Sequence, residues 1–314
     1  MTHKIFIIEA HKNPTQLKRM INRLNDEQSS FYIHIDKKSD IQPFKATIEG
    51  KNIKFLERRV DCIWCDISQV EATILLIEEV LRDKHEGMVI LLSGQDYPIK
   101  SKREINNFLD KNSQYNFIDA VPVQEAWKYS WREKVENYRF NFSSERGASI
   151  SLRKISKQSL KAFFKGIISL KQLLLLLKQR KLNLSITQYG GSTWWAINTN
   201  SLKKMYAYVK QNEKELFSYF KYTHCPDEIM FQSIMKYLSQ TDNFVKIFPS
   251  LTYVNWERFE MASSPVTFGM NDLPELLSQP ESKLFARKFD METDSDILDL
   301  LDEKCASVFT LHDA

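Results

Sequence analysis

The sequence predicts an α/β protein: a mixed, mostly parallel central β-sheet flanked by helices, in a single domain. Three observations lead there. In the first third of the chain, short runs rich in Ile, Val and Phe alternate with longer stretches of helical periodicity, the pattern of strand–helix–strand units. Each apolar run stops at a cluster of polar residues, where an open sheet of this kind gathers ligand-binding groups. The 314 residues contain only 8 Gly and 9 Pro, and no low-complexity linker divides them.

In chain order, Lys4 to Ala10 reads as a strand ending at Glu9-Ala10-His11, followed by the turn His11-Lys12-Asn13-Pro14. Thr15 to Leu24 is an amphipathic helix with Leu17, Met20, Ile21 and Leu24 on one face. Phe31 to Asp36 is a second strand, closing on His34, Asp36, Lys37 and Lys38. Ile53 to Leu56 is a short third strand and Ser68 to Leu81 a long helix. Met88 to Leu92 is fully apolar, as a parallel strand buried on both faces should be. It runs into Ser93-Gly94-Gln95-Asp96-Tyr97-Pro98, where Asp96 reads either as a ligand-binding group or as a turn cap. Gln188 to Ile197 carries Gly190-Gly191 into an aromatic strand, allowing close backbone approach to a ligand, or simply a turn. Tyr253 to Trp256 is a strand, and Leu284 to Asp290 follows a Pro-bearing helix.

Composition sets limits. With 43% hydrophobic and 27% charged residues the chain has an ordinary globular make-up. A net charge of +4 is too weak to make nucleic acid a bulk partner. The beginning lacks the features of a signal peptide, and no stretch reaches the roughly 20 apolar residues of a membrane span. A cytoplasmic location is therefore expected. Leu160 to Leu184 is basic and leucine-rich; it is expected to be a core-facing helix, with peripheral contact at a membrane surface as the second reading. Cys62-Ile63-Trp64-Cys65 has C-x-x-C spacing, but Cys225 and Cys305 stand alone, so neither a zinc site nor a disulfide scaffold is expected.

Three segments carry chemistry. Thr223-His224-Cys225-Pro226-Asp227-Glu228 precedes an apolar run and reads as the first turn of a helix. A carboxylate held there is favoured by the helix dipole and can take a proton from an attacking hydroxyl. The alternative is that Asp227 and Glu228 only satisfy free backbone N–H groups. Trp127 to Phe142 interleaves aromatic and basic side chains, suited to stacking on bases or sugar rings, or to a surface helix with its aromatics laid along it. Arg287-Lys288 before Phe289 is either a clamp for a diphosphate or a surface pair.

Ile8-Glu9-Ala10-His11-Lys12, Phe31 to Ser39, Leu92 to Lys100, Tyr189-Gly190-Gly191-Ser192, Pro226-Asp227-Glu228 and Ala286 to Asp290 together resemble the core-2/I-branching family of glycosyltransferases, which includes the peptide O-xylosyltransferases. The pieces occur in order along most of the chain. The resemblance implies a GT-A-type fold, with a nucleotide-binding half over about residues 1–120 and an acceptor-binding and catalytic half over about 121–314. It implies inverting transfer from a nucleotide sugar, UDP-N-acetylglucosamine first and UDP-xylose second, with no metal or other cofactor. Glu228 carries over as the general base and Lys288 as the grip on the donor diphosphate. Ala10, His11 and Asp36 fall near the uridine and Trp64 at the donor site, with Asp96 and Arg287 grouped there. Trp256 looks like an acceptor-side aromatic, with Arg258 and Trp127 beside it. The chain departs from the family by having no Arg around Ser263-Ser264-Pro265 to hold the diphosphate; Arg258 and Arg287 are the substitutes considered. Neither the large disulfide set nor the membrane anchor of animal members is expected here. The chain therefore looks like a bacterial member acting on a glycan or lipid-linked oligosaccharide in surface polysaccharide synthesis.

The chemistry fits the resemblance. Inverting transfer is one displacement, with a carboxylate deprotonating the acceptor while the leaving group departs from the opposite face. The departing diphosphate must meet positive charge. No D-x-D acid pair ends a strand, and Asp36 is followed by Lys37-Lys38, which disfavours a cation site there. Two other classes remain: a metallohydrolase using His11, His34, Asp36, Asp96, His224 and Asp227, whose spacing matches no ligand pair, and a non-catalytic sugar-binding protein.

Overall fold

The structure, a computed structural model, describes residues 1–256 and 264–307. It opens with β1 (Lys4–Ala10), α1 (Pro14–Leu24), β2 (Ser29–Ile35), α2 (Gln42–Thr47), β3 (Ile53–Phe55), α3 (Ile67–Asp83) and β4 (Met88–Ser93). β1 lies between β2 and β4 and pairs parallel with both, and β3 adds to the outer edge of β2. The period of two in β1 sorts its side chains between two cores. Phe6, Ile8 and Ala10 pack with Leu17, Met20, Ile21 and Leu24 of α1 on one face. Ile5 and Ile7 pack with Val70, Ile74 and Ile77 of α3 on the other. Because both faces are covered, β2 and β4 are buried along their whole length, which is why β4 reads as a continuous apolar run.

The chain continues through β5 (Asp96–Pro98), α4 (Lys102–Lys111), β6 (Asn116–Phe117), β7 (Val121–Pro122), α5 (Val123–Ala126), α6 (Trp131–Glu136), β8 (Tyr138–Asn141) and β9 (Ser149–Leu152). Then come α7 (Lys157–Phe164), α8 (Leu170–Leu175), β10 (Tyr189–Gly190), β11 (Ala196–Asn198), α9 (Thr199–Gln211), α10 (Glu213–Phe220), α11 (Met230–Thr241), β12 (Ile247–Phe248), β13 (Thr252–Val254), α12 (Leu273–Leu277), β14 (Phe285–Arg287) and α13 (Asp296–Ser307). The main sheet has seven strands in the order β12-β6-β11-β4-β1-β2-β3, and β11 runs antiparallel to both its neighbours. A small sheet of β13, β14 and β5 sets Arg287 opposite Asp96.

Two expectations change. Leu160 to Leu184 is not one core-facing helix. It is α7 and α8, divided at Gly166, whose φ of +70° suits glycine. The Gly166 amide donates to Phe163 O and that of Ile167 to Ala162 O, a Schellman stop that closes α7. Trp127 to Phe142 is likewise not a single surface helix: it spans α6 and β8, with Tyr138 and Phe140 buried.

Candidate active site

The carboxyl ends of β1, β2 and β4 open into a cavity of about 1580 Å³. That exceeds the roughly 300–1,000 Å³ of a single small-molecule site, leaving room for more than one ligand. The parallel register lines up Ser93, Glu9 and His34 side by side at its floor. Ala10, His11, Asp36, Trp64, Trp127, Glu228, Trp256, Arg287 and Lys288 all line this one cavity. Arg258 lies outside the described residues.

Pro226-Asp227-Glu228 forms a 3-10 turn, and α11 begins only at Met230. The expected first helical turn is thus a separate turn, because Ile229 at φ −130° interrupts helical geometry. What Glu228 meets is a side chain: Lys134 Nζ donates to Glu228 Oε2 at 2.8 Å. Lys134 is buried and stands 4.2 Å from the centroid of the Trp127 ring. No hydrogen bond reaches Glu228 Oε1 from the described residues, and the side chain is 23% exposed. The Glu228 carbonyl accepts from the Gly191 amide at 3.0 Å. A Cβ on Gly191 would stand 2.3 Å from the Asp119 carbonyl oxygen, so only glycine permits this approach. Asp227 points inward: Thr193 Oγ1 donates to Oδ2 at 2.7 Å while Oδ1 has no hydrogen-bond partner among the described residues. Burial, and then the neighbouring Glu228, raise its pKa to about 6.

The same turn is tied to the segment just before α3 by a disulfide, Cys65–Cys225. Cys225 therefore does not stand alone, and the C-x-x-C contributes its second cysteine to this bridge while Cys62 stays free. The partners are 160 residues apart, so no local spacing signalled the pair. Cys65 follows Trp64, whose ring meets His224 edge-on at 6.1 Å and carries the Arg146 guanidinium 4.4 Å above it. Burial, with Lys134 and Arg139 nearby, lowers the His224 pKa to about 3, leaving it neutral. Among the described residues the close group of metal-capable donors is Cys65, His224 and Cys225, and its sulfurs are bonded to each other. The ligand set expected for a metallohydrolase is not gathered: His34 Nε2 accepts from the Val60 amide at 2.8 Å, and Asp227 faces Thr193.

Asp96 is fully buried and does not reach the cavity wall. Its oxygens accept from the Ser93 amide and hydroxyl, so the turn-cap reading is the one realised. It acts on the cavity through Arg287, whose Nη1 is 3.4 Å from Asp96 Oδ1 and whose guanidinium lies 4.1 Å from the centroid of the Trp194 ring. Lys288 Nζ donates to Ser264 Oγ at 3.2 Å. Its pKa is lowered by burial and then by Arg287, Arg146 and Lys12, which crowd positive charge around it. Several of these groups escaped sequence reasoning. Glu9 lines the floor, accepts from Thr73 Oγ1 at 2.6 Å, and is raised by burial to a pKa of about 8. Lys134 was visible only as a member of the basic, aromatic stretch Trp127 to Phe142, and Arg146, just beyond it, was not singled out.

Comparison with known proteins decides the family. The family model described as Core-2/I-Branching enzyme matches residues 5–279. The chain belongs to the Core-2/I-Branching enzyme family. This is a family of glycosyltransferases, and the mixed, mostly parallel sheet flanked by helices is the GT-A-type architecture expected of a member. Curated relatives include a xylosyltransferase of Ciona intestinalis, 26% identical over 92% of this chain, and xylosyltransferase 2 of Homo sapiens, 25% identical over 91%. Xylosyltransferase oxt of Drosophila melanogaster is 25% identical over 92%. The chain spans about a third of the length of each of these, 32% in all three. Mouse xyloside xylosyltransferase 1 in its apo form, a solved structure, aligns over 91% of this chain and 97% of its own with 8% identity and a TM-score of 0.35. In this Core-2/I-Branching chain, no helix among the described residues is long and apolar enough to cross a membrane.

Proposed function

We propose that this chain is an inverting glycosyltransferase that moves a sugar from a UDP-sugar to a hydroxyl of a glycan acceptor in surface polysaccharide synthesis. The observation that carries the reading is Glu228: a cavity-wall carboxylate with one oxygen held by Lys134 and the other directed to no described partner. Such a group accepts the acceptor's proton. The acceptor oxygen then bonds to the anomeric carbon as the bond to the diphosphate oxygen breaks, and that electron pair leaves with UDP. The cation cluster around Lys288 supports a metal-independent departure, since fixed positive charge meets the charge that develops. Arg146, which lines the cavity and shares this cluster, is the proposed substitute for the family's second diphosphate-binding residue.

N-acetylglucosamine is the first proposed sugar. Xylose is the second, favoured by the xylosyltransferase names of the curated relatives. The test is thermal shift and turnover against a panel of UDP-sugars, with and without EDTA, for the natural chain and Glu228→Gln. The natural chain should turn over one donor in EDTA. Glu228→Gln should lose about 10²–10⁴-fold in kcat and keep its UDP affinity. A Glu228→Gln variant with full turnover, or a chain that turns over none of the donors, overturns the reading.

A further inference from the structure

The segment from Arg153 to Lys181 differs from the rest of the chain. It holds nine of the 44 basic residues and none of the 40 acidic ones, so the remainder carries 35 basic against 40 acidic residues. The chain's whole positive excess therefore resides in one stretch, folded as α7, the Gly166 turn and α8. Its inner face is satisfied. Ala162, Ile168, Leu173 and Leu176 are buried with Tyr138 and Phe140 of β8 in a small core of their own. Its outer face is not. Leu160, Phe164, Leu170, Leu174 and Leu177 are 40, 83, 57, 51 and 67% exposed. Eight of the nine basic side chains, all but Arg180, stand exposed around them.

We propose that α7 and α8 form a docking surface for an anionic lipid bilayer. A water-facing pair of helices would place polar residues where these leucines and Phe164 stand. At a bilayer interface, apolar side chains enter the headgroup boundary while lysine ammonium groups reach lipid phosphates. The charge selects the occupant. A second copy would bring an equally cationic face, which repels, whereas an anionic leaflet attracts clustered lysines.

The surface is wired to the site. Arg180, the buried basic residue of the segment, donates to the carbonyls of Lys134, Asn137 and Tyr219 at 3.0, 2.7 and 3.1 Å and to Thr223 Oγ1. Lys134 is the partner of Glu228. The β8–β9 hairpin runs from this surface to a turn whose Ser144 and Arg146 line the cavity. Its four-residue strands span about 13 Å. A bilayer docked here lies one short hairpin from the active site, suiting an acceptor glycan carried on a lipid. That last clause rests on the proposed function; the docking does not.

Flotation of the full chain with phosphatidylcholine vesicles, and with vesicles containing about one third phosphatidylglycerol, tests it. The chain should float with the anionic vesicles, weakly with the neutral ones, and less as salt screens the lysines. Phe164→Ser with Leu174→Ser, and separately Lys157→Glu with Lys161→Glu, should each cut partitioning about tenfold. Their thermal midpoints and UDP affinity should stay unchanged. A natural chain that ignores anionic vesicles, or variants that float equally well, overturns the proposal. Self-association lost in Phe164→Ser/Leu174→Ser, or binding to soluble polyglutamate, each without vesicle binding, reassigns the face to a second copy or to an acidic macromolecule and also overturns it.

Discussion

Lys134 Nζ lies 2.8 Å from Glu228 Oε2, and the two residues are 94 positions apart in the chain. Lys134 comes from α6, with its ammonium over the Trp127 ring, and Glu228 from the turn before α11. A buried cation on one carboxylate oxygen leaves the other free to face an incoming hydroxyl. Lys134 is thus a positioning residue. Lys134→Met should lower kcat about a hundredfold with KM for the donor little changed, since a small misplacement of a catalytic group costs that much. Lys134→Arg should restore part of the loss. Steady-state kinetics of both variants check this, and equal KM and kcat effects would point to a merely structural role.

Arg146 and Lys288 approach the cavity from different elements, one from the β8–β9 turn and one just after β14. If both meet the donor diphosphate, Arg146→Ala and Lys288→Ala should each weaken UDP binding by about 1.5–3 kcal/mol, the worth of a charge-assisted hydrogen bond. Their double variant should lose less than the sum, because contacts to one ligand group couple. Titration calorimetry with UDP reads all three values.

The Cys65–Cys225 bridge closes a long loop, its ends 160 positions apart in the chain. Cross-linking that much chain restrains the unfolded state by up to about 5 kcal/mol in the loop-entropy picture. Cys65→Ser with Cys225→Ser should therefore lower Tm by several degrees. It should also reduce turnover, since the bridge ties Trp64 to the turn that carries Glu228. Thermal melts and donor kinetics with and without reductant are the measurements, with the double variant insensitive to reductant.

Glu9 is held protonated by burial, its pKa about 8 against an ordinary value of 4.5. The folded chain therefore binds this proton more tightly than the unfolded chain does. The resulting stability is complete below about 4.5 and is lost as pH climbs through about 8. Between those limits the Tm of the natural chain should fall relative to Glu9→Gln, which carries no titrating group at that position. Parallel melts from acidic to mildly alkaline pH give the comparison.

Legibility in the sequence followed the range of the interactions. β1, α1, β2 and β4 were readable because each buries a face whose period shows within a few residues. His11 and Asp36 could be placed at the cavity because an open sheet delivers its strand ends to one edge, whereas Glu228 reaches the same cavity from the turn before α11. Asp96 was misplaced because a strand-end acid looks the same whether it faces a ligand or caps its own turn through Ser93. The Gly166 stop within the leucine-rich segment was visible in principle, as a glycine at a helix end, and was hidden by the apolar run around it.

The order of residues alone determined the α/β layering and the set of polar groups at the sheet's carboxyl edge, because strand and helix periodicity are local properties. Only the folded chain decided that Lys134 should hold Glu228, that Cys65 should meet Cys225, and that Arg146 should stand over Trp64. Those pairings join segments tens of residues apart or more. Close approach at such separations is set by the packing of whole elements, which no short window of sequence contains.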